Sequence, residues 1–259
     1  APRRPVQATG QATVQATARP EPGSAAAPAT MRAVAAHCWR VPTFRLICLA
    51  CGALGIFSYA LTTWMPSYMI RSHGMSLIET GMWLGIGGTV GGILGTLLSG
   101  ALVDRLVVRD PRWQLRIPAL GVVLSVPFIS LQLLLPGGLR IDVAGLSVPL
   151  VALPSPIHAF FISAWMPAGL AATANLMPPA LRAQAAALMI VILTVLGAGL
   201  GPLLTGMLSD ALATVSGIES LRYAILASLG TLVLSAVLFW RASITYPADL
   251  AGTAQRGQP

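Results

Sequence analysis

The sequence predicts an all-α membrane protein built as a bundle of six transmembrane helices. Of its 259 residues, 55% are hydrophobic and only 9% are charged, whereas soluble domains carry about 25% charged residues. The mean hydropathy is +0.76. Six apolar stretches are long enough to cross the hydrocarbon core, which needs about 20 helical residues. We therefore expect a multi-pass integral membrane protein.

The segment before the first span is expected to lie outside the bundle. Residues 1–29 are rich in Ala, Pro, Thr and Gln. They cannot bury enough apolar surface to offset the entropy of ordering, which predicts a disordered cytoplasmic linker. Residues 30–40 follow, with Arg32 and Arg40 near the two ends. Their pattern predicts a short amphipathic helix along the cytoplasmic membrane surface.

The six predicted spans are separated by residues that typically start helices. Ser76 with Glu79, and Ser216 with Glu219, have the spacing of a capping box. Asp110 precedes a proline that suits the first helical position. The predicted spans are 44–70, 77–103, 112–135, 147–177, 180–208 and 218–240, within a transmembrane domain at 44–241 that is followed by a cytoplasmic tail at 242–259.

The distribution of arginine orients the predicted bundle. All sixteen positive charges are arginines. If the chain changes sides at each span, eight arginines near span ends fall on one side and three on the other. The eight are Arg40, Arg45, Arg105, Arg109, Arg112, Arg116, Arg182 and Arg241, and the three are Arg71, Arg140 and Arg222. Positive residues near span ends favour the cytoplasm, so both termini are expected there, in a bacterial plasma membrane. Because the charge lies in loops and tails rather than on one soluble face, no nucleic-acid partner is expected.

Glycines recur at helical spacing in two of the spans. Gly87, Gly91 and Gly95 follow one another every four residues in the second span, and Gly197 and Gly201 do so in the fifth. Small residues at this period let another helix approach closely. We therefore expect these faces to receive helices from outside the six-span unit.

Prolines and cysteines of the spans have structural interpretations. Pro154, Pro156 and Pro167 are expected to kink or break the fourth span, because proline removes a helical hydrogen bond. Cys48 and Cys51 have the spacing of a redox or metal site, but no histidine or acidic residue is near them in the sequence, so we interpret them as packing residues. No metal, cofactor or catalytic residue is predicted, because the sequence lacks a paired acidic motif and a His/Glu cluster.

The loop between the second and third spans resembles a signature of the major facilitator superfamily. Gly100, Asp104, Arg105 and Arg109 match the cytoplasmic motif of that family, although Val107 stands where the motif usually has glycine. The loop taken alone has two interpretations. It either anchors the positive side in the cytoplasm or gates transport, with Asp104 making state-dependent contacts with a neighbouring helix end.

A second resemblance narrows the family to its spinster-like branch, whose characterised members move lysolipids and sphingoid phosphates. Because a linker and a surface helix precede six spans, the resemblance implies the C-terminal half of the fold, helices seven to twelve. A missing N-terminal six-helix half or a homodimer partner would complete it. The similarity covers residues 31–245 and rests on residues 64–76, Gly81, Gly91-Gly92, Gly95-Thr96 and residues 109–113.

The family resemblance places a substrate cavity between the two halves, near the middle of the membrane. In this chain the cavity would be lined by spans one, two, four and five. The substrate-binding candidates are Tyr59, Thr62, Thr63, Trp64, His158 and Trp165. An ionisable residue inside a span is a functional candidate, but a histidine bonded between helices and threonines bonded to their own helix are the structural alternatives. The implied function is alternating-access transport of a small organic or lipid-like substrate. The alternative is a non-transporting interaction protein or an inactive fragment, because six spans supply only one wall of the cavity.

Overall fold

A computed structural model describes residues 31–143 and 145–256. The predicted linker at 1–29 lies outside the described residues. Those that are described form eight α-helices and one antiparallel hairpin. In chain order the elements are α1 (Met31–Trp39), α2 (Pro42–His73), α3 (Leu77–Val107), α4 (Trp113–Leu134), β1 (Arg140–Val143), β2 (Leu146–Pro149), α5 (Pro154–Ile162), α6 (Trp165–Asn175), α7 (Arg182–Ser216) and α8 (Ser220–Arg256).

Each predicted span except the fourth coincides largely with one long helix. Five continuous helical stretches have the length and hydropathy to cross a membrane. The last of them, Pro179–Thr253, contains both α7 and α8, which a turn at Gly217 with φ +54° separates. At the start of α3 the predicted cap is present, because Ser76 Oγ accepts a hydrogen bond from the Glu79 N–H at 3.2 Å.

Two of the predicted helix starts are wrong. Ser216 is the last residue of α7 and caps no helix, because the chain reverses only at the following glycine. Glu219 instead pairs with Arg222 of α8, with Oε2 and Nε 2.7 Å apart. Asp110 does not cap α4, which begins three residues later, but accepts the N–H of Arg112 at 2.9 Å and so stabilises the turn before the helix.

The predicted fourth span is broken, and its first residues are not helical. Residues 146–149 form β2, which pairs with β1 in a hairpin that the sequence did not predict. A 3-10 turn at Leu150–Ala152 then leads to α5 and α6, which are interrupted after Ile162. Pro154 and Pro167 lie in the first turns of α5 and α6, where the missing N–H costs no helical bond. The break at residues 163–164 lies four and three residues before Pro167, where proline clashes with the preceding helical turn, so this proline agrees with the predicted break.

Helix α2 is the centre of the bundle. It packs mainly on α7 and α8, whereas α3 packs on α5, and α4 packs on α8 and α5. One buried apolar cluster includes Phe44, Cys48 and Phe239, and a second includes Phe57 and Tyr68. The described cysteines are free and buried, which agrees with a packing role.

The periodic glycines contact helices of this chain, so the expected partner was wrong. Gly91 and Gly95 of α3 lie against backbone carbonyls of α5. Gly197 of α7 lies against α2, where an added Cβ would be 2.6 Å from Cδ2 of Tyr59. The spacing correctly indicated close helix contacts. Both contacts, however, hold this six-helix unit together.

The predicted tail at 242–259 is helical over its described part, which extends α8 beyond the predicted span end at 240. This extension caps two other helices. Asp249 Oδ2 accepts the N–H of Thr43, in the first turn of α2, at 2.9 Å. Thr253 Oγ1 donates to the Leu176 carbonyl, at the end of α6, at 3.2 Å. Both bonds satisfy backbone groups that a helix end leaves without an intrahelical partner.

Candidate functional site

The four candidate side chains on α2 divide into packing residues and accessible ones. Trp64 Nε1 donates to the Pro202 carbonyl at 3.0 Å and so joins α2 to α7. The Tyr59 ring is half-buried over a glycine of α7. Thr62 and Thr63 are exposed, and Thr62 Oγ1 donates to the carbonyl four residues earlier at 2.8 Å. That bond leaves the oxygen of Thr62 able to accept a hydrogen bond from a ligand.

His158 on α5 is a buried polar group with an unsatisfied ring nitrogen. Its residue exposure is 8%, and Nδ1 is buried without a hydrogen bond from the described residues. Leaving a buried polar atom unpaired costs about 1–3 kcal/mol. Trp165 is half-buried and packs against both apolar clusters of the bundle. Of this pair, His158 thus has an unsatisfied polar atom, whereas Trp165 has a packing role.

The structure does not gather the six candidates into an enclosed pocket. Four lie on α2, which packs mainly on α7 and α8, and two lie on α5 and α6. Four surface grooves of the described residues are lined by other side chains. The accessible threonines thus belong to an open face of the described bundle.

The signature residues lie at the end of α3 and in the loop after it. Gly100 lies within α3, Asp104 and Arg105 are exposed near its end, and Arg109 is exposed in the loop. Within the described residues, Asp104 makes no hydrogen bond or ion pair, so its carboxylate is available to a partner outside them. Val107 is the last residue of α3, and this backbone conformation does not require glycine.

The two ends of the bundle differ in charge. At the end that carries the hairpin, Arg140 pairs with Glu79 and Arg222 pairs with Glu219. At the opposite end, a single ion pair forms among the described residues, between Arg116 and Asp110. The exposed arginines of that end include Arg45, Arg105, Arg109, Arg112 and Arg241. This end, which we call the arginine-rich end, therefore keeps a net positive charge.

A polar cluster that the sequence did not predict closes the end of the bundle that carries the hairpin. Tyr68 of α2 donates to the Leu133 carbonyl at 2.8 Å, and His73 Nε2 lies 3.0 Å from the Tyr68 hydroxyl. Arg222 of α8 donates to the Leu135 carbonyl at 3.3 Å. These donors satisfy carbonyls at the end of α4. Sequence spacing gives no signal for the cluster, because its members come from helices far apart in the chain.

The fold and the open polar face define the class of this chain. It is a multi-pass integral membrane bundle with the fold of the major facilitator superfamily, matched over about half of a transporter's length.

Comparisons with known proteins give the particular relatives. The chain is 32% identical over 234 residues to an MFS-type efflux pump of Mycolicibacterium smegmatis. The aligned region covers 89% of this chain and 52% of the pump. A crystal structure of a bacterial homolog of the human lysosomal transporter Spinster, inward-facing and unoccupied, matches with a TM-score of 0.70 and 21% identity over 96% of this chain and 55% of that one. The inward-facing and occupied form matches with a TM-score of 0.66 and 23% identity over 80% and 50%. No family model matches the chain.

The efflux pump agrees with the resemblance to the major facilitator superfamily, and the structural matches show that the fold is that of the bacterial Spinster homolog. By their names, the relatives are transporters and not enzymes, in agreement with the prediction that the chain is not an enzyme. The chain spans about half the length of the relatives that it matches.

Proposed function

We propose that this chain is the C-terminal half of a secondary transporter that moves a small organic or lipid-like substrate by alternating access. The observation that carries the proposal is the match to an efflux pump over 89% of this chain but only 52% of the pump. In alternating access, one half of the transporter rocks against the other around a shared site. A six-helix half with an open polar face fits one side of that arrangement.

The candidate substrate residues support a site that has one wall in this chain and needs a second wall from elsewhere. Thr62 and Thr63 are exposed on α2, and His158 Nδ1 is buried without a partner among the described residues. The surrounding surface is largely apolar, so an amphipathic substrate would bury its apolar part there and bond to these few polar groups. The opposite wall would come from the N-terminal half, or from a second copy if the protein is a homodimer.

Glycines with free space beside them support a docking surface for the N-terminal half. An added Cβ at Gly85, Gly88 or Gly92 of α3, or at Gly199 of α7, would meet no heavy atom within 4 Å. Small residues allow helices to approach closely in a membrane. These glycines, rather than the buried ones, are the positions where the N-terminal half would contact this bundle.

Charge supports the orientation of the transporter. The arginine-rich end would face the cytoplasm, since positive residues near span ends are retained there. This places both ends of the described chain at the cytoplasmic face of a bacterial plasma membrane. Asp104 would then meet the N-terminal half at the cytoplasmic gate, where a carboxylate stabilises the positive end of a helix.

The test is reconstitution of the complete protein and of this chain alone into proteoliposomes, with uptake of fluorescent amphipathic cations and lysolipids as readout. We expect uptake by the complete protein and none by the chain alone. His158→Gln in the complete protein should reduce uptake, while His37→Gln, in the helix before the spans, should not. Undiminished uptake by the chain alone as a monomer would contradict the half-transporter proposal. Absence of uptake by the complete protein across the panel would contradict the transport proposal.

A further inference from the structure

Two apolar grooves flank α4 near the arginine-rich end. The α3–α4 groove has a volume of about 220 Å³ and is closed at its base by α5. The α4–α8 groove has a volume of about 200 Å³. Leu120 lines both grooves and forms the ridge between them. Other lining residues are Leu102, Trp113 and Leu124 in the first groove, and Val123 and Trp240 in the second.

The two grooves lie outside the proposed transport path. The family resemblance assigns the cavity to α2, α3, α5–α6 and α7, and leaves α4 and α8 on the periphery. The ridge of α4 is exposed, with Leu120 at 41% and Val123 at 52%, so in a membrane it faces lipid. An apolar cavity stays free of water and takes up apolar molecules. Hydrocarbon chains of lipids are therefore the natural occupants of both grooves.

The guanidinium group of Arg116 lies between two tryptophan rings at the open end, or mouth, of the grooves. The guanidinium carbon of Arg116 is 5.7 Å from the Trp113 ring centroid and 5.5 Å from that of Trp240. Arg116 Nη1 lies 3.4 Å from Asp110 Oδ2, whereas its Nε is buried and has no hydrogen-bond partner among the described residues. Tryptophan is enriched at the level of lipid headgroups. The Arg116 side chain is nonetheless 24% exposed, so the mouth presents a partly accessible guanidinium at the depth where a lipid phosphate would lie.

The charge around the mouth favours an anionic headgroup. Arg112 is exposed one turn before Arg116, and Arg109 and Arg241 are exposed at the same end. The nearest acidic residue in the loop, Asp110, is already engaged with Arg116 and with the backbone of Arg112. Arginines beside a bilayer attract anionic lipids by about 1 kcal/mol each.

We propose that one anionic diacyl phospholipid, such as phosphatidylglycerol, binds astride α4. One acyl chain would occupy each groove, on either side of Leu120, and the phosphate would lie against Arg112 and Arg116. The site requires only that the bundle is embedded in a membrane. It does not depend on transport, so the two proposals can fail separately.

Native mass spectrometry of the complete protein, released from detergent with added phosphatidylglycerol or phosphatidylcholine, tests the headgroup. We expect one phosphatidylglycerol to be retained in preference to phosphatidylcholine. Arg112→Gln should weaken retention about fivefold, and a second substitution, Arg116→Gln, about fivefold more, since each removes one contact. Arg71→Gln, an exposed arginine at the opposite end, is the matched control and should retain the lipid as the wild type does.

A second pair of variants tests the grooves. Leu120→Trp should enlarge the ridge between the two grooves, obstruct the acyl chains and reduce retention of the lipid. Leu131→Trp, on the same face of α4 but three turns away, should not. Both positions are exposed, so neither substitution disturbs the core, and a thermal melt verifies this. Equal retention of the two lipids would overturn the proposal. Wild-type retention by both Arg112→Gln and Leu120→Trp would also overturn it.

Discussion

Replacing Asp249 with alanine tests whether the last turns of α8 hold the bundle together. In the structure its carboxylate accepts the N–H of Thr43 at 2.9 Å, in a first turn of α2 that contains no acidic residue of its own. Thr43 is fully buried, and its hydroxyl lies 2.6 Å from that of Thr245 on α8. Water therefore has little access to this N–H if the carboxylate is removed.

The expected loss of stability is the sum of two separate contributions. Loss of a side-chain cap costs about 1 kcal/mol of stability. Loss of a negative charge at a helix N-terminus costs about 0.5 kcal/mol. Asp249→Ala loses both and should destabilise the protein by about 1.5 kcal/mol. Asp249→Asn keeps an oxygen acceptor and should lose only about 0.5 kcal/mol, because asparagine caps as well as aspartate does.

Thermal unfolding of the detergent-solubilised protein, followed by circular dichroism, measures this difference. For a protein of this size, 1 kcal/mol corresponds to about 2–4 °C in Tm. We expect Tm to fall by about 3–6 °C for Asp249→Ala and by about 1–2 °C for Asp249→Asn. Asp210→Ala is the control, since Asp210 is exposed and bonds to none of the described side chains. An Asp249→Ala variant that melts within 1 °C of the wild type would refute the capping argument.

Three further predictions concern packing, gating and topology. Gly95→Ala places a Cβ against a carbonyl of α5 and should lower Tm by several degrees, whereas Gly230→Ala of α8 meets no atom within 4 Å and should not lower Tm; equal Tm values for the two variants would contradict the packing role. In the complete protein, Asp104→Asn should impair uptake into proteoliposomes while expression stays near that of the wild type, and full uptake would leave only the anchoring role. Cysteines introduced at 105–112 should react with impermeant maleimide from one side of the membrane, and those at 137–146 from the other, in a background where the native cysteines are buried; labelling of both sets from the same side would contradict the topology.

Hydropathy and helical spacing were enough to predict the membrane class and the helical bundle, because both depend on local composition, but they did not predict the hairpin at 140–149. They could not identify contact partners. Gly91 and Gly197 were correctly expected to lie in close helix contacts, but the helices that meet them, α5 and α2, are defined only by the tertiary fold. The same limit explains why the cap predicted at Ser216 is wrong. The spacing of Ser216 to Glu219 fits a capping box, but the preceding helix continues through the serine.

A related limit applies to the candidate site residues, whose substrate role stays a prediction. Sequence position identified Thr62 and Trp64 as polar or aromatic residues at the same depth of one span, but it could not distinguish their surroundings. Trp64 bonds to the backbone of α7, whereas Thr62 is exposed. The capping role of Asp249 was missed because hydropathy falls after residue 240, and the partner of Asp249 lies 206 residues earlier in the chain.

That separation also determines the order in which this bundle can be completed during synthesis. At about 5–20 residues per second, the ribosome reaches Asp249 roughly 10–40 s after it has made Thr43. Helix α2 is therefore made before α7 and α8, yet it must wait for them to cover its sides and for the end of α8 to cap its first turn. During this interval the threonines and cysteines that the finished bundle buries lack their partner helices and remain exposed. A premature stop before Asp249 would prolong that exposure indefinitely, so cells should degrade such truncated chains even though all six spans have been translated.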